Sequence, residues 1–118
     1  MPKIKNILKD TNIKIIEDCS QAHGASINKK KVGSFGDIGV WSFCNDKIIS
    51  TGGAGGMLST NNKIIADKIW SLKENGKNLK KMNNVTKISS FPLLHVFIGN
   101  NERIIEIQSM YGLEQIKK

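Results

Sequence analysis

The stretch from Phe35 to Ser59 limits the fold of this chain more than any other. Its order is an apolar run, Val40-Trp41-Ser42-Phe43-Cys44, then a polar turn, one lysine (Lys47), a glycine-rich turn Gly52-Gly53-Ala54-Gly55-Gly56, and a second short apolar run at Met57-Leu58. Glycines permit positive φ and close backbone approach, so two strands joined by a tightly folded loop are expected, with a lone amine on that loop. Taken alone, the stretch reads first as a surface lysine beside a turn. Loops held by a rigid sheet are also where chemistry tends to sit, and both readings stay open on these residues.

The 118 residues suffice for one domain with a modest core. The net charge of +8 would suit nucleic acid or an anionic surface. All the basic residues except Arg103 are lysines, however, scattered among asparagines and isoleucines. Sequence-specific readers of nucleic acid lean on arginine for bidentate contacts, and no helix-turn-helix, zinc-finger or RNP pattern is present. The excess charge therefore reads as solvated surface, and no specific nucleic-acid partner is expected. Cys19 and Cys44 do not make a disulfide framework. Cys19 and His23 have the spacing of metal ligands, but no second pair completes a site, so no metal is expected. Met1 leads into a lysine-rich amphipathic segment with no signal-peptide core, and no apolar stretch approaches the roughly 20 residues that cross a bilayer. A cytoplasmic protein without membrane insertion is expected.

In chain order, helix and strand signals alternate. Residues 2–11 place Ile4, Ile7 and Leu8 at helical spacing, with Pro2 suited to the first turn. Ile13 to Ile16 predict a short strand ending at Glu17-Asp18. Asp18 would then lie at the carboxyl end of a parallel strand, the edge where open α/β sheets bind ligands. Asn61 or Asn62 can cap a helix over 63–75, with Ile65, Ile69 and Leu72 on its apolar side and Gly76 as its stop. Residues 77–92 are polar and unpatterned, a long connection. A last helix is predicted over 102–117, with Ile104, Ile107, Tyr111 and Leu113 covering one side. No repeat and no second domain are visible.

Ile15-Ile16-Glu17-Asp18-Cys19-Ser20-Gln21-Ala22-His23-Gly24-Ala25, then Val32-Gly33-Ser34-Phe35-Gly36-Asp37, then Ser42-Phe43-Cys44-Asn45-Asp46-Lys47 before the glycine turn, together resemble the DegT/DnrJ/EryC1/StrS family of sugar aminotransferases. Gly99-Asn100-Asn101-Glu102-Arg103-Ile104 is similar to that family's Gly-x-Asn-x-Arg-Met segment, and Glu106-Ile107-Gln108 and Gly112-Leu113-Glu114-Gln115-Ile116 continue it. The resemblance covers nearly the whole chain. It implies an α/β fold: part of the large domain of a fold-type I aminotransferase, a mostly parallel sheet flanked by helices, binding pyridoxal 5′-phosphate (PLP) and incomplete at both ends.

By this resemblance Lys47 would hold the cofactor as a Schiff base and serve as the acid/base of transamination. Asp18 would pair with the pyridine nitrogen and keep it protonated. Gln21 would contact the ring or its 3-hydroxyl, Ser42 the phosphate, and Asn101 the phosphate of a neighbouring subunit in a homodimer. His23 reads as packing. Some relatives carry histidine at the lysine position and dehydrate sugars, so Lys47 implies the transaminase branch, with glutamate as amino donor and a nucleotide-linked keto-sugar as acceptor. The chain departs from the family at Ala54, where a glutamate is usual, at Ile104, where methionine is usual, and at Ser109-Met110-Tyr111, which brings bulk where small residues are usual. Other function classes consistent with the residues are a truncated fragment with no activity of its own and, less well matched, a basic binding module.

Overall fold

A computed structural model of the protein describes residues 1–83 and 95–117. They form two compact units, one of residues 1–62 with 104–117 and one of residues 63–83 with 95–103. The predicted connection over 77–92 lies in part outside the described residues.

The first unit opens with α1 (Pro2–Ile7), which has proline in its first turn and buries none of its residues. The predicted helix ran to residue 11. It stops earlier because the Thr11 N–H and hydroxyl both donate to the Leu8 carbonyl, replacing the next helical turn. Strand β1 (Ile16–Asp18) pairs in parallel with β4 (Ile38–Ser42), Asp18 facing Val40. Between them a small antiparallel ribbon, β2 (Ser26–Ile27) with β3 (Lys30–Lys31), turns through Asn28 and Lys29 at positive φ. Strand β5 (Gly56–Ser59) pairs with the other side of β4 in antiparallel sense, giving the order β1-β4-β5. The described sheet is thus mixed, with one parallel and one antiparallel pair, because the chain reverses through the glycine turn where a parallel neighbour would need a long crossover. Strand boundaries also move: β1 begins at Ile16, since the Ile15 N–H and C=O are taken by Asp37, through its carboxylate and its amide respectively.

Cys19 and Phe35 are the buried apolar residues of this core. Beside them Glu17, only 5% exposed, accepts hydrogen bonds from the N–H groups of Gly33, Phe35 and Gly36 at 3.0, 2.7 and 2.7 Å. A buried carboxylate is costly unless paired or hydrogen-bonded, and these amides satisfy it. The last helix, α4 (Glu106–Ile116), seats its small Gly112 on Thr51; a Cβ there would lie 2.9 Å from Thr51 Cγ2. The predicted apolar side does not become core. Ile107 is 77% and Leu113 60% exposed, and the bulky Met110 and Tyr111 also face outward.

In the second unit α2 (Lys63–Lys73) is followed by α3 (Leu79–Asn83). As expected, Gly76 ends α2: it adopts φ +77°, and its N–H donates to the Ser71 carbonyl at 2.7 Å. Ile65 and Ile69 are half-buried and Leu72 is exposed. Residues 100–103 stay extended against the end of α2, with the Asn100 and Glu102 amides donating to the Leu72 and Lys73 carbonyls. That pairing is why the predicted helix over 102–117 begins only at Glu106. Glu74, buried, binds Lys73 at 2.6 Å and pairs with Arg103. These two cations, Lys73 foremost, hold its carboxyl below the usual glutamate range. Among the described residues no helix is long and apolar enough to cross a membrane.

Candidate active site

Parallel pairing brings the carboxyl ends of β1 and β4 side by side, and the Cys19 N–H continues the ladder onto the Val40 carbonyl at 2.8 Å. Asp18 closes β1 and Ser42 closes β4. Asp18 Oδ1 accepts from the Ser20 hydroxyl at 2.6 Å and from the Ser20 N–H at 3.0 Å. The hydroxyl and then the amide hold the Asp18 carboxyl below the ordinary aspartate range, and the positive charge of Lys47 acts in the same direction. Asp18 is therefore a stable anion at this edge. Gln21 follows in the exposed turn, and His23 lies against the Trp41 and Phe43 rings at 5.4 and 5.9 Å. Both His23 ring nitrogens are buried without a hydrogen-bond partner.

Lys47 stands in the loop that leaves β4. Its N–H donates to the Cys44 carbonyl, the Thr51 N–H returns to the Phe43 carbonyl, both at 3.1 Å, and the Phe43 N–H donates to the Gly55 carbonyl at 2.8 Å. The loop is thereby drawn shut at its base. The side chain of Lys47 is only 14% exposed, and its Nζ is 3.2 Å from Asp46 Oδ2. This lysine is the main reason the Asp46 carboxyl lies below its usual range. Ser42 Oγ accepts from the Cys44 N–H at 3.3 Å.

Of the residues singled out in the sequence, Asp18, Ser42 and Lys47 come to one edge of the sheet, with Gln21 in the turn beside Asp18. Asn101 belongs to the second unit, where it bridges to Glu74. Glu17, Asp46 and the α4 glutamines were not legible beforehand; the amides on Glu17 come from 16–19 residues away in sequence.

A lightly exposed primary amine, an ionised aspartate under its influence and a serine at a strand end are the groups that PLP needs. Solved structures share the fold that carries these residues. An aminotransferase from Psychrobacter cryohalolentis matches with a TM-score of 0.92 and 40% identity, covering 98% of this chain and 29% of that one. Escherichia coli GDP-4-keto-6-deoxy-D-mannose-3-dehydratase, solved with bound hydrated PLP, matches with a TM-score of 0.81 and 27% identity over 99% of this chain and 32% of that one. Among curated proteins, GDP-perosamine synthase of Escherichia coli is 35% identical over 118 residues, all of this chain and 29% of that protein. The chain thus spans about 29% of the length of that relative. With the family profile matching residues 1–118 from end to end, the chain belongs to the DegT/DnrJ/EryC1/StrS aminotransferase family.

Proposed function

We propose that this chain carries the cofactor-bonding lysine of a PLP-dependent aminotransferase acting on nucleotide-linked keto-sugars, with glutamate as the amino donor. The observation that carries the reading is geometric: parallel pairing sets Asp18, at the end of β1, beside the end of β4, from which the Lys47 loop leaves. PLP, when bound, supplies an electron sink toward which the substrate's amino-bearing carbon can release a proton. Asp18 would hold a proton on the cofactor's ring nitrogen, which an ionised carboxylate favours and a neutral amide would not. Lys47 Nζ would bond the cofactor and, once displaced, carry the proton to and from the substrate. Gln21 would orient the ring and Ser42 Oγ bind the phosphate. Asn101 would reach the phosphate of a second subunit in a homodimer.

Trapping tests this without demanding turnover. The chain is mixed with PLP, reduced with borohydride and mapped by peptide mass. Pyridoxyl label should concentrate on Lys47 over Lys14, whose side chain is 74% exposed. Asp18→Asn should leave Lys47 as the labelled residue. Label spread in proportion to exposure, with Lys47 unfavoured, would sink the assignment.

A further inference from the structure

Helix α4 is held to its unit by an unusual face. Its large apolar residues point away, Ile107 at 77% and Leu113 at 60% exposure, so hydrophobic burial does not fix its position. The fixed face is made by Gln108, Gly112 and Gln115, which at spacings of four and three lie one above the other on the helix. Gln115 Oε1 accepts from the Ser50 N–H at 2.9 Å, and Gln108 Nε2 donates to the Ala54 carbonyl at 3.2 Å. Between them Gly112 admits Thr51, itself only 3% exposed. The segment Ser50–Ala54 is therefore gripped at both ends and seated in the middle. This same segment forms the return leg of the Lys47 loop, since the Thr51 N–H donates to the Phe43 carbonyl.

We infer that Gln108 and Gln115 are positioning residues for Lys47: the two amides fix the return leg of its loop and so set where the amine stands relative to Asp18. The inference rests on the reading of Lys47 as the cofactor-bonding lysine. Each glutamine is hydrogen-bonded to the backbone of the return leg and acts on Lys47 through it. The amide suits both tasks because its oxygen accepts, as at Gln115, and its NH₂ donates, as at Gln108. A leucine at 115 would leave the Ser50 N–H without its partner, whereas a glutamate would still accept from it.

The experiment compares Gln115→Leu, Gln108→Leu and Gln115→Glu with the unaltered chain by two measurements. One is amide exchange across residues 48–54. The other is the ratio of pyridoxyl label on Lys47 to label on Lys14 after PLP and borohydride. Each leucine variant should speed exchange in the segment and lower the label ratio about five- to tenfold, the scale of one lost hydrogen bond. Gln115→Glu should restore most of both. If Gln115→Leu does not fold, Gln108→Leu against the unaltered chain carries the test. A label ratio unchanged in the leucine variants, or a glutamate variant as impaired as the leucine one, would overturn the positioning role. If the unaltered chain shows no preference for Lys47, the cofactor assignment fails and this role falls with it, and faster exchange in the variants would then report only a structural clamp.

Discussion

At the residue scale, the sequence discloses chemistry better than support. Lys47 and Asp18 stand out through the motifs that contain them, and the fold brings both to the carboxyl edge of the β1–β4 pair. Glu17, beside Asp18, gave no comparable signal, yet it closes the sheet edge by collecting three backbone amides from the 33–36 turn. Its role depends on which loop folds over it, and that is a tertiary fact. Glu17→Gln should be a sharp test. One carboxylate oxygen would become an NH₂ facing a backbone N–H, leaving a buried donor unsatisfied. A loss of about 1–3 kcal/mol is expected, read as a lower denaturant midpoint with an unchanged slope. An unaltered midpoint would show that the turn holds without Glu17.

At the scale of elements, periodicity located both long helices but misjudged where the last one starts and what its sides face. Residues 102–105 were absorbed into a helical pattern that ignores the pull of α2's free carbonyls, to which Asn100 and Glu102 donate. Gly76, by contrast, was readable because a helix stop is a local backbone matter. The ion-pair group that accompanies this extended segment carries a pH signature. Glu74 titrates below its ordinary value in the folded chain, with Lys73 the leading cause and Arg103 contributing. Its stabilising contribution is therefore complete above the unfolded glutamate value, about 4.3, and is lost as acidification passes down through the lowered one. Arg103→Met removes one of the two cations, narrowing that window. Urea midpoints measured from about pH 7 to pH 3 should fall less steeply below pH 5 in the variant than in the unaltered protein. Parallel curves would mean that Lys73 alone sets the Glu74 state.

For the molecule as a whole, surface character sets behaviour. Ile107, Met110, Leu113 and Ile116 leave most of α4's apolar area in water, while the net charge of +8 keeps copies apart. Salt weakens the second effect and not the first, so sedimentation should show association that grows with concentration and with ionic strength. Replacing Ile107 and Leu113 by glutamate should reduce it. A monomer at every salt concentration would show that this face does not attract. The composition made the charge plain, but it could not show that the last helix carries its apolar residues outward.

The shut base of the Lys47 loop has a consequence for tempo. With Phe43 and Thr51 joined, and Phe43 joined again to Gly55, a lid-like swing of the backbone beneath the lysine would first have to break these hydrogen bonds. Turning of the amine about the bonds of its own side chain breaks none of them. Rotamer changes of exposed side chains take picoseconds to nanoseconds, against the microseconds or longer of hinged segments, and the Lys47 side chain, 14% exposed, turns among neighbours that slow it. The chain has put its mobile group on a short arm with a braced shoulder.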